Sequence, residues 1–330
     1  MIASASRVLI VHAGGSKTGT TSLQNFFDLH VDRLNEAGIA YYNRVGVRSP
    51  YSPTSGNGWP LLELMNAADP DEAAFDALLD AYLGAGATGL LSTERLERTA
   101  ADGWRLLLAR ARAKGIGIRV VYFVRDPVPY FVSRYDQAIK RHGETRDFLP
   151  WFEEEPWWHF EFLRRVEAFR GEIDLALFHY PEGGGDTVAT VARLLGVEAG
   201  ADGGGRKYDA NRSLTGRERR ILRYLNAAYG SEPAISLSTF LLERHPHVVP
   251  EKMRDPAFVR AVERRFRAAC EWINERYFGA PTLRIDDDPP PRTPAAASGA
   301  EDEAFERMLV DWAQDRAGGP GENPERSKRA

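Results

Sequence analysis

Cysteine is almost absent from this 330-residue chain. Cys270 is the only one, so no intramolecular disulfide can form and a disulfide-stapled secreted scaffold is excluded. Structural zinc sites that need two or more cysteine ligands are excluded with it. Lysine is nearly as scarce: positions 17, 114, 140, 207, 252 and 328 are the only six among 43 basic residues. Each lysine therefore carries more information than an arginine does. No stretch approaches the roughly 18 apolar residues of a membrane span. The apolar run Val8–Val11 is too short for a signal-peptide core, and no basic segment precedes it. These absences lead to the expectation of a cytoplasmic protein with no membrane span. An excess of positive charge is also lacking. The net charge of −4 argues against a nucleic-acid partner.

What is present is ordinary globular composition, 43% hydrophobic and 27% charged, in a length suited to two domains or one large α/β domain. The charge is unevenly spread. Residues 286–330 hold eleven acidic and six basic side chains, which leaves the rest of the chain nearly neutral. The segment 286–303 is rich in Pro, Ala and Asp and reads as a linker. Beyond it, Phe305, Met308, Leu309 and Trp312 fall on one face of a short helix over about 301–316. That helix can dock on the body, bind a partner or pair two copies as a homodimer, docking being the simplest. Residues 317–330 read as a disordered tail. The expected division is thus a domain over 1–285 and an acidic appendage over 286–330.

Four short runs, Arg7–Val11, Ala87–Leu91, Ile116–Val124 and Ile173–Phe178, are rich in Val, Ile, Leu and aromatics rather than alternating. Strands covered on both faces have this pattern. Helical patterns lie between and after them, over Thr20–Glu36, Asp71–Leu83, Asp102–Lys114, Pro127–Arg141, Pro156–Arg170, Asp186–Leu195, Thr215–Ala228 and Asp255–Tyr277. Strands alternating with helices predict an α/β fold with a doubly wound parallel sheet in three layers. Ligands in such folds bind outside the carboxyl ends of the strands.

The first strand leads into HAGGSKTGTTSLQNFF, residues 12–27. Gly14, Gly15 and Gly19 permit a tight turn and close backbone approach, and Thr20, Thr21 and Ser22 open a helix whose free N–H groups favour an anion. An ATP-binding loop of the form GxxxxGK[ST] could be aligned on Gly14 and Gly19, but its lysine would then fall on Thr20. Here the lysine stands at Lys17, before the second glycine. The third strand ends in RDPVPYFVSRYDQAIK, residues 125–140. Asp126 suits a helix N-cap and Pro127 the first helical position. Arg125 at the strand tip and Ser133, two turns into the helix, can converge on one anion.

The K-x-G-T-T-S order resembles the 5′-phosphosulfate loop of sulfotransferases that use 3′-phosphoadenosine 5′-phosphosulfate (PAPS). Arg125 and Ser133, eight residues apart in an R-D-P context, resemble that family's 3′-phosphate motif. GGGRKYDANRSL, residues 203–214, is similar to its late basic loop, with Arg206 and Lys207 matching an Arg-Lys pair and Tyr208 replacing the usual glycine. Asn211 and Leu214 resemble a bacterial branch of the family, the carbohydrate-sulfotransferase-like one. The likeness spans about residues 7–228.

The resemblance implies a P-loop-like fold with added C-terminal helices. It implies PAPS as co-substrate, adenosine 3′,5′-bisphosphate as product, no metal, and an acceptor hydroxyl on a sugar, glycoconjugate or small metabolite. Lys17, Thr18, Gly19, Thr20, Thr21 and Ser22 would hold the 5′-phosphosulfate, and Arg125, Ser133, Arg206 and Lys207 the 3′-phosphate. For the general base, Glu94 in LLSTERL, just past the second strand, corresponds to a glutamate of carbohydrate sulfotransferases. The competing candidate is His12, because small-molecule sulfotransferases use a histidine. The aromatic group Trp151, Trp157, Trp158, Phe160 and Phe162 reads as core rather than as a sugar platform, and HPHVVPEKMR (245–254) as a loop beside the acceptor. Two other readings remain at this point: a nucleotide-dependent kinase, and a non-catalytic nucleotide-binding scaffold.

Overall fold

The computed structural model describes residues 7–42, 56–180, 186–199, 213–244, 248, 255–285 and 307–312. The chain forms two compact units. The first comprises Met1–Phe131, Glu154–Tyr208 and Ala261–Asp286, and the second Val132–Glu153, Asp209–Arg260 and Asp287–Ala330.

The first unit is built on a five-stranded, wholly parallel sheet. Its strands are β1 (Arg7–His12), β2 (Ile39–Ala40), β3 (Thr88–Ser92), β4 (Ile116–Arg125) and β5 (Ile173–Tyr180), in the order β2-β3-β1-β4-β5. The connection from β3 to β4 passes over β1. The carboxyl end of β1 is therefore where the winding direction reverses, the place where open α/β sheets hold ligands.

Helices cover both faces, so strand side chains of either parity are apolar. Ile10, Leu90, Val121 and Phe123 face α1 (Thr20–Leu29), α2 (Val31–Glu36) and α9 (Thr187–Leu195), packing with Phe26, Phe27, Leu34, Val188 and Val191. On the other face lie α4 (Glu72–Leu83), α5 (Ala101–Ala113) and α8 (Trp158–Glu167). There Tyr122 stacks on Phe162 with ring centroids 4.2 Å apart, and Trp104 meets the same ring at 5.8 Å. These three layers agree with the expected architecture. Trp157 and Phe162 are buried in this unit, as their reading as core residues requires, whereas Trp158 and Phe160 are only partly buried.

Several details differ from the sequence reading: helices over Phe148–Glu154 and Ser231–Arg244 and a 3-10 turn over Glu94–Arg98 fall where no element was expected, and further differences lie around the sheet. The expected helix Thr20–Glu36 breaks at His30, where φ −119° and ψ 34° leave the helical region between α1 and α2. A short edge strand, β2, and the helix α3 (Trp59–Met65) appear where no element was expected. Both are held by Asn57. Its side-chain amide donates to the carbonyls of Tyr42 and Leu90 at 2.9 and 3.0 Å and accepts from Ser92 N–H at 2.8 Å.

Helices α6 (Pro127–Arg141), α7 (Phe148–Glu154) and α12 (Pro256–Ile273) each contribute residues to both units. The second unit also contains α10 (Gly216–Tyr229) and α11 (Ser231–Arg244). Its centre is a buried ion pair. Arg219 donates from Nε and Nη2 to Asp136 at 2.6 and 3.2 Å, and Leu214 N–H completes the carboxylate at 2.9 Å. Thr215 and Glu218 close a capping box at the start of α10. Trp151 and Phe152 are buried in this unit against Phe148, Phe258 and Tyr135. Residues 307–312 are helical, and Trp312 Nε1 donates to Ser236 Oγ at 3.4 Å. The remainder of the helix expected over 301–316 lies outside the described residues. None of the described helices is long and apolar enough to cross a membrane.

Candidate functional site

The loop after β1 takes its shape from backbone angles that only glycine adopts cheaply. Gly14, Gly15 and Gly19 have φ of 91°, 94° and 79°. Space is as restrictive as torsion. A Cβ on Gly14 would lie 2.5 Å from the Glu94 Cα, and one on Gly15 would lie 2.0 Å from the Phe123 carbonyl oxygen. Lys17 shares the left-handed conformation, with φ 68°, and is the one non-glycine residue to do so among the described residues. For a long side chain that geometry costs about 1–2 kcal/mol. The surroundings hold it. Thr18 Oγ1 donates to the Gly15 carbonyl, and Arg125 Nη1 donates to the Lys17 carbonyl at 3.0 Å.

The loop is thus anchored on the tips of the neighbouring strands. Ala13 N–H donates to Val121, and Thr93 N–H donates to the His12 carbonyl, both at 3.1 Å. Gly19 then caps α1. The first intrahelical bonds run from Ser22 and Leu23 N–H to the Gly19 carbonyl at 3.1 and 3.2 Å. The amides of Thr20 and Thr21 precede those bonds, as the leading amides of any helix do.

The 3-10 turn Glu94–Arg98 after β3 supplies two carboxylates of different kinds. Glu94 is partly exposed and accepts from Thr20 Oγ1 at 2.9 Å, which places it at the start of α1 beside Gly14. Glu97 is 1% exposed and faces inward. Its Oε2 accepts from Ser16 N–H at 3.0 Å and from Tyr122 Oη at 3.2 Å, and Tyr122 Oη also meets His159 Nδ1 at 2.8 Å. Arg165 donates to the Glu97 backbone carbonyl. Burial pushes the Glu97 carboxyl above the usual range, against the Ser16 hydrogen bonds, which pull it down.

His12 has a different environment. It is wholly buried between Phe27 and Ser92, with Nδ1 at 2.8 Å from Ser92 Oγ, and burial lowers its pKa to about 4. Of the two candidate bases, Glu94 is partly exposed beside the loop, whereas His12 is wholly buried.

The guanidinium of Arg125 lies over the Tyr180 ring, 5.5 Å from its centroid. Tyr180 and Thr187 in turn bound Gly19. The structure therefore brings Lys17, Thr18, Gly19, Thr20, Glu94 and Arg125 together around one loop, with Thr21 and Ser22 on the first turn of α1. Ser133 lies on α6 in the second unit. Arg206 and Lys207 lie outside the described residues, as do residues 245–247 and 249–254 of the expected acceptor loop.

A phosphate or sulfate group suits the cradle made by residues 14–19. Gly14 and Gly15 let the loop pack closely on Glu94 and Phe123, and the Arg125 guanidinium lies beside it. Thr93 Oγ1 is buried there without a hydrogen-bond partner among the described residues. No group of three or more His, Cys, Asp or Glu side chains that could hold a metal occurs among the described residues. Sequence reasoning missed Glu97. The only signal was its spacing, three residues after Glu94, which in a 3-10 turn places both on one side. No known family, curated protein or solved structure matches this chain.

Proposed function

We propose that the protein is a PAPS-dependent sulfotransferase acting on a hydroxyl of a sugar, glycoconjugate or small metabolite, built on a P-loop-like sheet. The observation that carries the reading is the hydrogen bond from Arg125 to the Lys17 carbonyl. It joins the two motifs that resemble the phosphosulfate and 3′-phosphate motifs of that family. The lysine position supports it further, because an ATP-type loop requires a lysine where this chain has Thr20.

When bound, PAPS supplies an activated sulfuryl group. The chain's own residues would then do three things. The loop amides and the hydroxyls of Thr18, Thr20, Thr21 and Ser22 would fix the 5′ end, and Arg125 with Ser133, Arg206 and Lys207 the 3′-phosphate. Lys17 would face the negative charge that develops on the departing phosphate oxygen. Glu94 would accept the proton of the acceptor hydroxyl as its oxygen bonds to sulfur and the sulfur–phosphate-oxygen bond breaks. Sulfuryl transfer shares with phosphoryl transfer an in-line displacement in which positioning and charge stabilisation dominate.

The test is a metabolite extract incubated with protein and sulfur-labelled PAPS, read by mass spectrometry for species that gain one sulfuryl group. Labelled acceptors that vanish with Lys17→Ala support the reading. Label transfer unaffected by that substitution removes the loop from the chemistry.

A further inference from the structure

Most carboxylates near an anion-binding loop are a liability, because they repel the ligand. Glu97 is closer to this loop than any salt bridge requires. Its carboxylate is bonded directly to the backbone N–H of Ser16, inside the loop, at 3.0 Å. The side chain is almost entirely buried, and its other hydrogen-bond donor is a neutral phenol, Tyr122. From its own turn Glu94 and Arg98 face it, from β4 Tyr122, and from α8 His159 and Arg165. Arg165 directs its hydrogen bond to the Glu97 backbone carbonyl. A buried carboxylate held by neutral donors gains much by taking a proton.

We propose that Glu97 is the positioning residue of the loop, acting through Ser16 N–H, and that a polyanion binds the loop with the Glu97 carboxyl neutral. The neutral acid still accepts the Ser16 N–H bond, so the loop keeps its shape while the repelling charge is removed. Binding and proton uptake are then one event. Tyr122 and His159 accommodate the change, because the phenol can donate either to Glu97 or to His159 Nδ1 across 2.8 Å. The inference rests on the phosphosulfate reading only for its ligand.

The experiment titrates the full chain and two variants with adenosine 5′-phosphosulfate, by calorimetry across about pH 5.5 to 8.5. The charges of this probe stay fixed over that range, so any pH dependence belongs to the protein. Glu97→Gln imitates the protonated side chain and keeps an acceptor for Ser16 N–H. It is expected to bind the probe as tightly as the wild type at low pH, and more tightly at high pH, with a flat profile. Glu97→Ala frees Ser16 N–H and is expected to give a flat profile about tenfold weaker than that of Glu97→Gln. A purely structural residue would weaken binding in both variants together.

If Glu97→Ala does not fold, the wild type and Glu97→Gln still decide the matter by their pH profiles. Superimposable wild-type and Glu97→Gln profiles overturn the inference and leave the phosphosulfate site intact. Failure of the wild type to bind the probe at any pH overturns both.

Discussion

Arg125 Nη1 donates to the backbone carbonyl of Lys17 at 3.0 Å, while its guanidinium rests over the Tyr180 ring. One side chain at the tip of β4 thereby supports a strained residue at the tip of β1 and is itself oriented from the tip of β5. These contacts fix the Arg125 guanidinium beside the loop, and a positive charge held in advance of the ligand is what the proposed chemistry requires.

Lys17 offers an unusually clean substitution. Its φ of 68° suits glycine, so Lys17→Gly removes the ammonium and the strain together. Thermal unfolding should show equal or slightly higher stability, by up to about 1 kcal/mol. Sulfuryl transfer should fall by about 10²–10³. A marked drop in melting temperature would mean that the lysine stem packs the loop rather than serving the ligand.

Gly15→Ala should fail for the opposite reason. The new methyl would stand 2.0 Å from the Phe123 carbonyl oxygen, at a φ of 94°. Denaturant titration should show a loss of about 3 kcal/mol or more, and nucleotide affinity should collapse with it. A near-neutral result would show that the loop does not lie against β4.

Glu94→Gln tests the assignment of the base. The amide can still accept from Thr20 Oγ1, so binding of adenosine 3′,5′-bisphosphate should be almost unchanged. Turnover should fall by about 10²–10⁴. A fully active variant would transfer the role to another group.

His12 makes a pH-dependent contribution to stability. Its folded pKa of about 4 lies below the ordinary 6.5, so the unfolded chain takes the proton first as pH falls. The stabilisation is complete above about pH 6.5 and declines toward pH 4, by about 1.4 kcal/mol per pH unit. Urea denaturation of His12→Gln over this window should show a shallower slope than the wild type. Parallel slopes would contradict a neutral, buried imidazole.

In the second unit, Asp136→Ala leaves the Arg219 guanidinium and Leu214 N–H buried without their carboxylate. The expected cost is about 3–5 kcal/mol in denaturant titration. A loss below about 1 kcal/mol would indicate that water replaces the carboxylate.

The parallel sheet was legible because β1, β3, β4 and β5 are short runs dominated by apolar residues without alternation, broken only by single polar positions such as Arg119 and Asp174, the pattern of strands buried on both faces. The phosphate loop was legible because Gly14, Gly15, Lys17 and Gly19 follow one another in the sequence. Strand β2 was not, since two residues, Ile39 and Ala40, are too few to establish a period. The break at His30 was hidden for a related reason: Phe26, Phe27, Val31 and Leu34 continue a helical apolar spacing straight through it. Glu97 could not be read from its neighbours, because its partners Ser16, Tyr122 and the Arg165 guanidinium converge only once the chain has folded. Burial, which separates the behaviour of Glu97 from that of Glu94, is a property of the packed layers and not of the residue type.

The central claim is that this loop and Arg125 hold a nucleotide carrying both a 5′ and a 3′ anion. Calorimetric titration with adenosine 3′,5′-bisphosphate, set against ATP with magnesium, tests it most directly. The account predicts one-site binding of the bisphosphate without metal, weakened at least about tenfold by Arg125→Ala, and little or no binding of ATP–magnesium. Binding of ATP–magnesium with no response to the bisphosphate would contradict it.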